Sequence, residues 1–133
     1  MRKKQGFTLL ELTIVLAILA VLAAILIPTF LAAIDRARLR ADIQSARIIQ
    51  NAMELYHAET GRVLSGDIPA ILGTLANAGY LDPRNSNTQT AGALWVLQNN
   101  RVMLDVSRNN ADAVRRAYNN LTEDDKQFVI GGS

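Results

Sequence analysis

The chain contains no cysteine, so it has no disulfide framework, no thiolate metal site and no cysteine nucleophile. It has a single histidine, His57, and three prolines, Pro28, Pro69 and Pro83. Aromatic residues make up 5% of the sequence although half of it is hydrophobic, so the apolar character comes from aliphatic side chains. No glycine-rich phosphate loop, hydrolytic triad or paired-carboxylate cleft can be read in it. At 133 residues a multidomain enzyme is excluded. A basic field is missing too: Arg2, Lys3 and Lys4 precede position 7, whereas residues 35–133 hold eleven bases against eleven acids. The formal +2 is therefore N-terminal and does not imply a polyanion partner.

What is present is concentrated near the start. Residues 14–27 are uninterrupted hydrophobes, and the window from Phe7 to Ile34 carries one charge, Glu11. As a helix rising ~1.5 Å per residue that window would run about 42 Å, against a hydrocarbon core of roughly 30 Å. It is a membrane-helix candidate. A secretory signal peptide is the competing reading, with Leu31-Ala32-Ala33 as a loose cleavage site. The run is long for that role, and a carboxylate inside it carries a cost that a discarded segment has no use for. Flanking charge nearly balances, since Arg36, Arg38 and Arg40 lie beyond the run, diluted by Asp35 and Asp42. The undiluted N-terminal bases place that end in the cytoplasm.

Gly6-Phe7-Thr8-Leu9-Leu10-Glu11-Leu12, followed by the apolar run and Pro28, resembles the N-terminal signature of type IV pilins and type II secretion pseudopilins. The likeness is strong over residues 1–60; beyond them only the general plan is similar. It implies cleavage by a prepilin peptidase between Gly6 and Phe7 and N-methylation of Phe7. It further implies partners in identical or related pilin subunits and in an inner-membrane assembly platform with its assembly ATPase. Membrane lipid would hold the subunit before assembly.

Beside the resemblance, the residues supply their own physics. Cleavage before Phe7 would create an α-ammonium at the membrane edge, and Glu11 is the carboxylate available to neutralise it, within the chain or on a neighbour. Glu11 would also sit in the first helical turn, where the helix dipole favours a negative charge by ~0.3–1 kcal/mol at exposed sites. Pro28 has no amide hydrogen, so the Ala24 carbonyl loses its bond and the helix should bend or loosen. The resemblance implies a melted segment between Ala20 and Pro28 in assembled filaments; a simple kink fits the residues equally well. Glu11 and Pro28 are accordingly the assembly candidates.

After Ile34 the pattern becomes amphipathic, with Leu39, Ile43, Ala46, Ile49, Met53 and Tyr56 at helical spacing, and Gly61 is placed to cap the helix. Within the remainder, Asp67-Ile68-Pro69 opens a short helix ending near Gly79, and Arg84–Thr90 reads as a polar loop. Residues 94–97 and 102–106 flank Asn99-Asn100 as a β-hairpin. A third helix capped by Asn109 or Asn110 would bury Val114, Ala117, Tyr118 and Leu121, and Gln127–Ile130 reads as a last strand. The expected fold is α+β: a long N-terminal helix, half transmembrane and half amphipathic, packed against a small antiparallel sheet. The expected divisions are a cleaved leader, 1–6, an assembly helix, 7–34, and a head, 35–133, that includes the amphipathic helix 35–60. Lacking a disulfide, the C-terminal tail must rely on packing.

Other residues read as ordinary surface or core. His57 has no second ligand or nucleophile near it in sequence. Glu123-Asp124-Asp125 lacks the alternating oxygens of a calcium loop and reads as a polar turn. Arg36, Arg38, Arg40 and Arg47 form a basic stretch suited to neighbouring subunits or lipid headgroups, and only weakly to nucleic acid. Trp95 reads as core. No catalytic residue, metal or cofactor is expected. The expected role is a structural subunit of a type IV pilus, waiting in the cytoplasmic membrane and then polymerised into an extracellular or periplasmic filament. A secretion pseudopilin or a DNA-uptake pilus subunit is the alternative within the family. A membrane-anchored binding module is the alternative outside it.

Overall fold

A computed structural model describes residues 6–108 and 112–132. The proposed caps Asn109 and Asn110, and the bases Arg2, Lys3 and Lys4, lie outside the described residues. The chain forms two compact units, Met1–Ala33 and Ile34–Ser133.

Helix α1 is Leu9–Thr60, with Pro28 inside it. Its N-terminal part is aliphatic on every side, as the uninterrupted run requires. It is the one helix among the described residues long and apolar enough to cross a membrane, and none of its most apolar window is buried within the chain. The helix is unbroken from Ala20 through Pro28. Next to the proline the Thr29 hydroxyl donates to the Ile25 carbonyl at 3.3 Å, a side-chain bond of the kind that helps a proline-interrupted helix in lipid.

In the second unit, α1 presents Leu39, Ile43, Ala46, Ile49 and Met53 as buried positions, the stripe expected from their spacing, with Tyr56 half-buried. Gly61 ends the helix at φ +69°, its amide reaching the His57 carbonyl at 2.8 Å. Helix α2, Ile68–Asn77, carries Pro69 in its first turn and buries Ile68, Ile71, Leu72 and Leu75. The segment read as a polar loop begins with a 3-10 turn, Pro83–Ser86, capped by the Asp82 side chain.

Strands β1, Leu94–Gln98, and β2, Arg101–Asp105, pair antiparallel in register from Leu94↔Asp105 to Gln98↔Arg101. Between them Asn99 and Asn100 take φ of 51° and 62°, the left-handed pair that a two-residue turn needs and that asparagine tolerates. The chain then runs through α3, Asp112–Asn119, and α4, Glu123–Lys126, into β3, Val129–Ile130. Because those helices form a crossover, β3 enters beside β2 in the same direction, and the pair is parallel. The sheet is thus mixed, in the order β1-β2-β3, and not the wholly antiparallel one expected; only Val129 and Ile130 of the expected last strand pair.

Two apolar clusters fill the unit. One joins Ala46, Ile49 and Met53 to α2 and Val102; the other joins Leu39 and Ile43 to Leu104, Val106, Val114, Ala117, Leu121 and Val129. Tyr118, expected in the buried stripe of α3, is half-buried against the second cluster. Truncating a fully buried leucine such as Leu39 or Leu104 would cost about 2–5 kcal/mol.

Candidate functional site

The candidate processing segment is open backbone. Gly6, Phe7 and Thr8 precede the helix without regular structure, and Phe7 is 95% exposed. A Cβ added at Gly6 would meet nothing within 4 Å, so there is no steric demand for glycine there among the described residues. The helix start itself is built by a reciprocal pair. The Glu11 amide donates to Thr8 Oγ1 at 3.2 Å, and the Thr8 amide donates to Glu11 Oε2 at 3.1 Å. This is a capping box, in which two amides lacking helical partners are satisfied by each other's side chains. The sequence carried its signal, Thr-x-x-Glu ahead of an apolar run, and the reading of Glu11 through dipole and amine alone passed over Thr8.

Glu11 therefore already has a hydrogen-bond partner in the uncleaved chain. Downstream, Leu12, Ile14, Val15, Ile18, Leu19, Leu22 and their neighbours are all exposed. That surface can be satisfied by lipid or by other apolar helices, and water is its least favourable surrounding.

The residues singled out in the second unit are mostly engaged. Arg47, grouped by sequence with the basic stretch after the membrane run, turns inward: its Nη2 lies 2.7 Å from Asp125 Oδ1 and its guanidinium 5.0 Å from the Phe128 ring centre. It follows buried Ala46 on α1 and is itself half-buried, its side chain still 41% exposed, so part of its charge is met within the chain. Arg38 lies 4.0 Å from Asp35, one turn back on the same helix. Of the acidic run, Asp125 holds Arg47, and Glu123 pairs with Lys126 at 2.7 Å, raising the lysine's pKa. Among the described residues no three His, Asp or Glu side chains are grouped to hold a metal ion. His57 is exposed in the last turn of α1. Trp95 packs into both apolar clusters, and its indole nitrogen donates to the Ser86 carbonyl at 3.0 Å.

One structural residue escaped the sequence reading. Asp42, counted there only as a flanking charge, is fully buried and accepts the Gln89 and Thr90 amides, each at 2.7 Å. Its position gave the signal, because Leu39, Asp42, Ala46 and Ile49 fall at helical spacing on the apolar stripe.

Comparison with known proteins bears on the first unit above all. Residues 1–27 match the family model for the prokaryotic N-terminal methylation motif. The chain is 42% identical over 90 residues to the prepilin peptidase-dependent protein A of Clostridium perfringens, covering 68% of this chain and 57% of that protein. It is 65% identical over 37 residues to a type IV wide pilus major component of Thermus thermophilus, 28% of either chain. With the type II secretion system core protein G of Aeromonas hydrophila it shares 30% over 61 residues, 46% of this chain and 43% of that one. The chain thus spans no more than 57% of the length of these relatives. No solved structure matches it significantly. The chain thus carries the N-terminal methylation motif at the head of an exposed aliphatic helix and is pilin-like, similar over part of its length to a type IV pilus major component and to a type II secretion system core protein G.

Proposed function

We propose that the chain is a prepilin, a structural subunit and not an enzyme. A prepilin peptidase removes the basic leader, residues 1–6, and methylates the new N-terminus at Phe7. The assembly helix, residues 7–34, then holds the subunit in the cytoplasmic membrane with its N-terminus on the cytoplasmic side, and residues 35–133 form the head. Polymerisation by an inner-membrane platform and its ATPase exchanges lipid contacts for contacts with other stems. The observation that carries this reading is the helix with an exposed aliphatic surface that begins at a methylation motif. Glu11 gains its second role on assembly, when the methylated amine of Phe7, on the same or an adjacent subunit, becomes its partner in a water-poor setting. Pro28 supplies the place where the packed stem bends or loosens.

Mass spectrometry of the membrane or filament fraction tests the processing. An N-methylated phenylalanine at the start supports it; an intact Met1 or a start after Ala33 overturns it. A secretion pseudopilus is the second reading, favoured by the likeness to core protein G. Neighbouring genes separate the two, since secretion-channel components and retraction motors accompany different machines.

A further inference from the structure

We infer that Thr8 and Glu11 act before cleavage as positioning residues, fixing the first turn of α1 so that the Gly6–Phe7 peptide stays outside the helix and open to a peptidase. The inference rests on the reading that this bond is the one cut.

Proteolysis needs the scissile peptide as accessible extended backbone. In a helix the Gly6 carbonyl would instead bond to the Leu10 amide, and the peptide would lie against its own turn. Composition alone does not keep the helix from growing upstream, because Arg2, Lys3, Lys4 and Gln5 are good helix formers. Two features oppose it. Gly6 weakens any helical turn that includes it. Thr8 is the N-cap: its hydroxyl oxygen accepts the Glu11 amide and its carbonyl accepts the Leu12 amide at 3.2 Å, so the helix begins just after it.

The second half of the pair closes the upstream route. A helix extended by one turn would need the Thr8 amide to donate to the Lys4 carbonyl. That amide is already committed to the Glu11 carboxylate. Near the hydrocarbon boundary, where water competes poorly, exchanging it is costlier than in solution. Glu11 thereby has a task in the precursor that precedes and differs from any pairing with the Phe7 amine.

The test is the cleavage rate of the full-length precursor in membranes containing a prepilin peptidase, followed by the appearance of the Phe7 N-terminus. Thr8→Ala should slow cleavage measurably, by up to roughly tenfold, the limit that losing one helix cap sets through the open-to-helical ratio. Thr8→Ser and Thr8→Asn both retain capping oxygens and should restore the rate; Glu11→Gln keeps an acceptor for the Thr8 amide and should be cut normally. Thr8→Ala cleaved at the wild-type rate would overturn the inference. So would Thr8→Asn as slow as Thr8→Ala beside a normal Thr8→Ser, since the peptidase would then be reading the hydroxyl itself. An unmodified precursor left uncut at Gly6–Phe7 would instead bring down the processing reading.

Discussion

Asp42 Oδ2 accepts the Thr90 amide at 2.7 Å in the interior, while the other carboxylate oxygen takes the neighbouring Gln89 amide. One side chain of α1 thus holds a loop distant in sequence, standing in for the backbone partners the loop lacks. Asp42→Ala would leave two amides poorly satisfied and should lower stability by about 2–4 kcal/mol. Asp42→Asn, which keeps one good acceptor, should cost less. Urea unfolding of the full chain in detergent measures both, and equal stability of Asp42→Ala and the parent would refute the role.

The tail depends on two glycines. Gly131 lies at φ +77°, where an added Cβ would sit 2.6 Å from the Ser107 Cα, and one on Gly132 would sit 2.3 Å from the Tyr118 ring. Together with the Val106 amide donating to the Ile130 carbonyl at 3.0 Å, these close approaches lay the tail against Ser107 and Tyr118. Gly131→Ala and Gly132→Ala should each destabilise by roughly 1–3 kcal/mol and free the C-terminus. Carboxypeptidase trimming should quicken for both variants; unchanged trimming would show that the tail is held elsewhere.

Two side-chain pairs contribute opposite dependences of stability on pH. Asp105 accepts the Ser107 hydroxyl and, at 2.9 Å, its amide, which hold the carboxyl below its ordinary value. The stabilisation is therefore complete above the ordinary aspartate range near ~4 and is lost as pH falls through the lowered folded value. Tyr80 donates to Glu59, which raises the phenol. That contribution is complete below about pH 10 and is lost as pH rises through the raised value. Thermal melts across pH should show Ser107→Ala flattening only the acid limb and Tyr80→Phe only the alkaline limb.

The hairpin turn offers a gain. Asn100 holds a left-handed φ of 62°, so Asn100→Gly should be neutral or stabilising by up to ~1 kcal/mol, and Asn100→Val should destabilise by about 1–2 kcal/mol. A loss on Asn100→Gly would mean that the asparagine side chain, and not its φ alone, steadies the turn.

How much of this was legible varies with the range of the interaction. The amphipathic stripe, the Gly61 cap and the Asn-Asn turn follow from spacing and φ preference within a few residues, and the structure has each of them. The Thr8–Glu11 box is equally local, since Thr-x-x-Glu ahead of an apolar run is its whole signature. Asp125 and Phe128, the partners of Arg47 across the fold, could not be read, because nothing near Arg47 in sequence points to them.

Sequence by itself determined the aliphatic stem, the site of the methylation motif and the helical register of the head's inner face, because each depends on periodicity or on contiguous residues. Tertiary structure alone decided the direction of β3, the amide partners of Asp42 and the need for glycine at 131 and 132. Those depend on which distant backbone arrives alongside, and a crossover through α3 and α4 sets that arrival in three dimensions.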